Sequence, residues 1–203
     1  MTIKGHIVLS NNILIGIVLC TISKYGDLYN SFTILNYLQF YIFFIFGTIF
    51  VDIDEPNSYI GRKLFFISIP FKIFNVLAKL FLLPLSLFGI KLKNINRFFE
   101  HRGITHILLT PLIIALISYG VLGYSESISL SMLFFSFGIL THHIGDLITN
   151  TGIKSYLFPI LIGKNIKIIP NTFNTNSTIE YVFNLLLSVT LIVQLYFLYL
   201  LIY

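Results

Sequence analysis

The stretch GILTHHIGDLIT, residues 138–149, carries His142 and Asp146 four positions apart. On an α-helix that spacing puts both on one face, with Cβ atoms about 5–6 Å apart. Such a pair can bind one ion or bridge two. A second stretch, FFEHRGITH at residues 98–106, supplies Glu100, His101, Arg102 and His106. His101 and His106 are five apart, about 140° around an ideal helix, so a regular helix does not aim both the same way. His101 is expected in the loop and His106 one turn inside the helix that follows, with Gly103 permitting tight backbone between them. Thr105 or the open amides of that helix start could receive an anion. The planar fork of Arg102 suits bidentate phosphate or carboxylate binding. VDIDEPN, residues 51–57, adds Asp52 and Asp54. In an irregular, strand-like exit the two are not expected to face one ion; in a turn both could reach it. His6 near the start and Glu180 at the head of the last apolar stretch complete the set. Neutral imidazole with carboxylate suits zinc, manganese or iron.

Composition identifies the scaffold that must position these groups. The chain has 203 residues, 56% hydrophobic and only 10% charged, against about 25% charged in a soluble domain. Mean hydropathy is +0.89. So few charges exclude a water-soluble surface and point to an all-α polytopic membrane bundle, one domain over residues 1–203. The net charge of +5 does not indicate direct nucleic-acid binding, because there is neither a long basic run nor a pattern of stacking aromatics. The single cysteine, Cys20, sits inside an apolar stretch and excludes an internal disulfide. No small-x-small cleavage site follows the first apolar run, so residues 1–25 are expected to remain as a helix.

A membrane-crossing helix needs about 20 mostly apolar residues. Five stretches meet or approach that: 7–22, 33–51, 104–122, 128–148 and 181–203. Asn11 and Asn12 in the first are expected to face other helices. Residues 65–90 differ, because Pro70 and Pro84 interrupt them and Lys72 and Lys79 share one helix face. That reads as an amphipathic segment lying in the interface, or as a re-entrant one. The basic residues decide the topology. With five spans and a cytoplasmic N-terminus, Lys4, Arg62, Lys63, Lys72, Lys79, Lys91, Lys93, Arg97, Arg102, Lys154, Lys164 and Lys167 fall inside. Only Lys24 falls outside, so twelve of thirteen follow positive-inside sorting. If 65–90 crossed, seven would move outside. The expectation is a multi-pass protein of the cell inner membrane.

This topology also gathers the ionisable groups. All five histidines and six of the eight carboxylates (Asp52, Asp54, Glu55, Glu100, Asp146 and Glu180) fall at the cytoplasmic face, leaving only Asp27 and Glu126 elsewhere. Ionisable residues at membrane depth are costly and mark function. Plainer readings stand beside the functional ones. His6 reads equally as a helix-end histidine at the interface, and Asp52 and Asp54 as a solvated turn before Pro56 and Asn57. Glu180 reads as a first-turn carboxylate favoured by the helix dipole. His143 points about 100° from His142, which fits packing or support of a ligand. Thr149, Asn150 and Thr151 read as a cap or turn.

Taken in order, GH near the start, DIDEPNSYIGRKL, EHRGITH, GILTHHIGDLITNTGI with a later FP, and the acidic helix start at Glu180 resemble the YdjM-type family. Its members are inner-membrane proteins described as metal-dependent hydrolases, with a LexA-binding label. The resemblance covers nearly the whole chain. HRG-x-TH and G-x3-H-x3-D-x2-T-x2-G are specific together. The family is more distantly similar to zinc-dependent phospholipase C and its nuclease relatives, which are all-helical and use several zinc ions. The resemblance marks His6, Asp52, Asp54, His101, Arg102, His106, His142 and Asp146; the histidines and aspartates are the expected metal ligands, and Arg102, together with Glu180, the expected catalytic residues. Three positions depart from the pattern. Glu55 stands where the family often has histidine, Ile107 where serine is common, and His143 is additional. An altered metal preference is one consequence.

The expected function is a membrane-embedded hydrolase using a divalent ion, zinc first and manganese or iron next. Its substrate would be a phosphoester of a membrane lipid or lipid-linked phosphate at the cytoplasmic face. The alternative is a non-enzymatic membrane regulator or tether. It would present residues 55–100 and 149–180 to a soluble regulatory protein, with a structural metal. A transporter is disfavoured, because the ionisable groups lie at one face and not near the midplane.

Overall fold

The computed structural model describes residues 1–25, 34–55, 57–82, 104–154, 156, 165–168 and 173–202. They form helices α1 (Ile3–Tyr25), α2 (Ile34–Phe50), α3 (Tyr59–Lys63), α4 (Phe65–Leu82), α5 (Leu109–Val121), α6 (Glu126–Ile148) and α7 (Thr178–Ile202). Val51–Asp54 and Ile104–His106 are 3-10 turns. A two-residue antiparallel pairing joins β1 (Ile153–Lys154) to β2 (Asn165–Ile166), with Ile153 opposite Ile166. The protein is a helical membrane bundle.

Helices α1, α2, α6 and α7 are long and apolar enough to cross a membrane. The stretch expected as a span over 104–122 contains only the thirteen-residue α5. Pro111 explains the late start. It offers no N–H to the Ile107 carbonyl, and its ring crowds that carbonyl. A proline fits most readily in a first turn, and here the helix begins at Leu109, with the chain before it wound as a 3-10 turn. His106 therefore lies in that turn, and not one turn inside the helix as expected. The segment nevertheless runs the length of α6. The Ser118 hydroxyl donates to the Ser129 carbonyl at 2.7 Å, and the Ser136 hydroxyl to the Pro111 carbonyl at 2.7 Å. Next in that antiparallel register, His143 Nε2 meets the Thr105 carbonyl at 3.0 Å.

Polar pairs set the other directions. Asn36 reaches Ser127 and Gln39 reaches Ser131 at one end of α2, while Thr48 reaches His142 at the other, so α2 runs parallel to α6. Asn12 donates to the Leu187 carbonyl at 2.8 Å and accepts from the Thr190 hydroxyl at 2.7 Å. Glu180 accepts from the Thr2 amide, so α1 runs parallel to α7. Asn11 accepts from the Tyr41 hydroxyl at 3.1 Å. Both asparagines thus face other helices, as expected. Lipid gives apolar side chains little reason to leave it. Membrane helices therefore associate through polar pairs and close backbone approach. Gly47 and Gly138 provide the closest approach here: a Cβ on either would run into backbone of the opposite helix.

One consequence governs the site. The starts of α1, of segment 104–121 and of α7 meet the ends of α2 and α6 at one end of the bundle. The Asp54 carboxylate and Thr105 hydroxyl lie 3.0 Å apart, so residues 54 and 105 stand at that same end. Of the segment 65–90, expected to be interfacial or re-entrant, α4 is the described part. Residues 83–90 lie outside the described residues.

Candidate metal centre

The last turns of α6 turn His142 and Asp146 inward. Their side chains are 2% exposed, and His142 Nε2 lies 3.7 Å from Asp146 Oδ2. Gly145 beside them is needed for space, because a Cβ there would strike the His6 ring. His6, in the first turn of α1, stacks on His142 with ring centroids 3.8 Å apart. Its Nε2 lies 3.4 Å from Asp146 Oδ1. The 3-10 turn after α2 brings Asp52, and the turn before α5 brings His106.

Four atoms then face one another. His106 Nε2 is 3.3 Å from Asp146 Oδ2 and 3.8 Å from Asp52 Oδ1. His142 Nε2 is 3.7 Å from each of the same two oxygens. Donors held about 2.0–2.2 Å from a tetrahedral ion lie about 3.4 Å from each other. These four distances come close to that spacing, and the atoms are supplied by three separate chain segments: the turn after α2, the turn before α5, and α6. Two triads have donor atoms all within 4.8 Å of one another: His6 with His142 and Asp146, and Asp52 with His106 and His142. Two carboxylates held this far from water need positive charge beside them, and one divalent cation would supply it. Met1 N also lies 3.4 Å from Asp146 Oδ1. Asp52 keeps 23% of its side chain exposed and so forms the open edge.

The far sides of both rings are held. His142 Nδ1 is 2.7 Å from the Thr48 carbonyl, which only accepts, so Nδ1 carries a proton, and the neutral ring then has its lone pair on Nε2. His142 Nε2 has no hydrogen-bond partner among the described residues. His106 Nδ1 is 2.9 Å from Thr105 Oγ1. Ligand histidines are ordinarily held this way, by a second contact opposite the metal. The donor set therefore fits a divalent ion.

The structure brings together His6, Asp52, His106, His142 and Asp146. Asp54 is in neither triad; its Oδ2 accepts the Thr105 hydroxyl. A 3-10 turn puts residues two apart about 120° from each other, so Asp52 and Asp54 divide their directions. Thr105, read as a possible anion receiver, is engaged by Asp54 and His106. Glu180 stands outside both triads, and its two oxygens accept the Thr2 and Asn176 amides. That geometry ties the start of α1 to that of α7. His143 is fully buried against the Thr105 carbonyl and the edge of Tyr156, which fits the supporting role expected of it. Thr149 caps α6 through the Asp146 carbonyl. His101 and Arg102 lie outside the described residues. The Thr48 carbonyl and the Thr105 hydroxyl were missed as partners of the histidines. Only the adjacency of Thr105 to His106 could have flagged either.

The family model described as YdjM inner membrane protein matches residues 1–203, the whole chain. No curated protein and no solved structure gives a significant match.

Proposed function

The chain belongs to the YdjM inner membrane protein family, and from that premise we propose that it is a membrane-embedded, metal-dependent hydrolase of a phosphoester at the cytoplasmic face. The observation that carries this reading is the four-atom set. His106 Nε2 and His142 Nε2 face the same oxygens of Asp52 and Asp146, at 3.3–3.8 Å. His106, His142, Asp52 and Asp146 would hold the ion, with His6 on the second oxygen of Asp146. Zinc is the first choice for such donors, and manganese or iron the next. A bound ion would supply a water of lowered pKa and charge to oppose a developing oxyanion.

The protein's own residues supply the rest. The buried ring stack of His6 and His142 closes one side of the centre against water. Asp52, 23% exposed, leaves an edge of the centre open, and a catalytic site keeps such an opening where a structural one is closed. Arg102, four residues before His106 in the sequence, is assigned to hold the phosphate group, because its planar fork engages two oxygens at once. A centre built from the ends of membrane helices favours a phospholipid or a lipid-linked phosphate as substrate.

The test is elemental analysis of the purified protein, followed by turnover of phospholipid and lipid-linked phosphate substrates in nanodiscs. A stoichiometric divalent ion and metal-dependent release of a phosphorylated product support the reading. Bound metal with no turnover across the panel would replace it with the membrane tether, the metal being structural. Absence of any ion would remove both.

A further inference from the structure

We propose that Thr105 is a positioning residue of the centre, its hydroxyl relaying between the Asp54 carboxylate and the His106 ring so that His106 keeps Nε2 turned toward the ion. This rests on the metal-centre reading and adds a residue which that reading does not use. Thr105 Oγ1 lies 3.0 Å from Asp54 Oδ2 and 2.9 Å from His106 Nδ1. A hydroxyl has one proton to donate, and an ionised carboxylate only accepts. The Thr105 proton therefore goes to Asp54. The second contact must run the other way, from His106 Nδ1–H to Oγ1. A neutral imidazole protonated on Nδ1 has its lone pair on Nε2. That Nε2 is the atom 3.3 Å from Asp146 Oδ2 and 3.8 Å from Asp52 Oδ1.

Thr105 is itself held in place. It is buried, and its carbonyl accepts from His143 Nε2 at 3.0 Å. The supporting histidine thus fixes the backbone of the relay, while the hydroxyl fixes the ring of the ligand. The two ligand rings differ in one useful respect. His142 is oriented by the Thr48 carbonyl, which no side-chain change removes. His106 is oriented by a hydroxyl, which a substitution can delete.

The plainer explanation is that Thr105 only fills space. Valine keeps its volume without the hydroxyl, and serine keeps the hydroxyl without the methyl. The experiment measures zinc affinity by chelator competition, and the His106 tautomer by long-range proton–nitrogen NMR of the metal-free protein. It compares wild type, Thr105→Val and Thr105→Ser. Thr105→Val is expected to lose roughly 10–100-fold in affinity and to release His106 from the Nδ1–H tautomer. Thr105→Ser is expected to stay close to wild type in both. Wild-type affinity and tautomer in Thr105→Val would overturn the proposal. So would a loss in Thr105→Ser as large as in Thr105→Val, since the side chain's bulk would then be the cause. If wild type binds no zinc, the metal-centre reading fails, and the tautomer in the metal-free proteins alone decides the relay.

Discussion

His6 lies flat on His142, the two rings 3.8 Å apart and 4° from parallel, and Asp146 faces both. One ring comes from the first turn of α1 and the other from the end of α6. The cluster therefore joins two helices as well as offering donors, and occupancy by an ion should be felt as stability of the bundle.

The triads rank the residues. His142 belongs to both triads, and Asp146 faces His6 with Oδ1 and His106 and His142 with Oδ2, whereas His6 and His106 each complete one triad. Alanine at His142 or Asp146 should lower bound metal most, and His143→Ala least among the histidines described. Metal per protein, measured by elemental analysis, checks the order. A full complement in His142→Ala together with loss in His143→Ala would invert it. Chelation should also lower the Tm of wild type, by a shift worth about 2.7 kcal/mol if the free ion had stood at 100 times its Kd. His142→Ala should respond little.

Gly138 offers a test of packing. A Cβ there would collide with the Phe44 carbonyl and the Thr48 amide, while one at Gly120 would meet nothing within 4 Å. Gly138→Leu should force α2 from α6 and cost roughly 1–3 kcal/mol. It should also lower metal content, because the Thr48 carbonyl that orients His142 moves with α2. Gly120→Ala should be neutral or slightly stabilising. Unfolding midpoints and metal content on the same samples decide the matter. Equal behaviour of the two variants would contradict the close helix contact.

Orientation follows from the ends. Tyr124 is 90% exposed at the end of the bundle remote from the centre, and Asn174 is exposed at the end that holds it. With twelve of thirteen basic residues assigned inside, a membrane-impermeant thiol reagent applied to intact cells should label Tyr124→Cys. It should miss Asn174→Cys until the membrane is opened. A Cys20→Ser background removes the native thiol. The reverse pattern would place the centre on the outer face.

Arg102→Lys separates a phosphate clamp from a headgroup anchor. A lysine keeps the charge but not the fork. Metal content should stay at the wild-type level. Hydrolysis of the best phosphoester should weaken by about 1–3 kcal/mol of transition-state stabilisation, the scale of a charge-assisted contact. Equal rates at matched metal occupancy would leave Arg102 an anchor.

Much of the architecture was legible in one dimension. A bilayer demands that each crossing segment be apolar over about 20 residues and satisfy its backbone internally. The spans, the odd character of 65–90 and the gathering of histidines at one face could thus be read from residue order alone. Local rules carried further where they act within one helix. The spacing of His142 and Asp146 and the divergence of His143 both follow from helical periodicity. Pro111 could have corrected the start of α5, since its effect is equally local, but the apolar run masked it.

The sequence by itself determined that His6, Asp52, His106, His142 and Asp146 would lie at one membrane face. Only the tertiary structure decided which of them meet. Asp52 and Asp54 have the same chemistry and neighbouring positions, and the rotation of one 3-10 turn against α6 turns Asp52 to the cluster and Asp54 to Thr105. Glu180 lies at the same end, yet the parallel course of α1 and α7 engages it with the Thr2 and Asn176 amides. The Thr48 carbonyl that orients His142 is a group every residue has, so nothing in the side-chain order could mark it. Apolarity fixes depth in a membrane because it is a property of each segment alone. The facing of two side chains depends on how segments far apart in the chain rotate against one another, and that is fixed only when they pack.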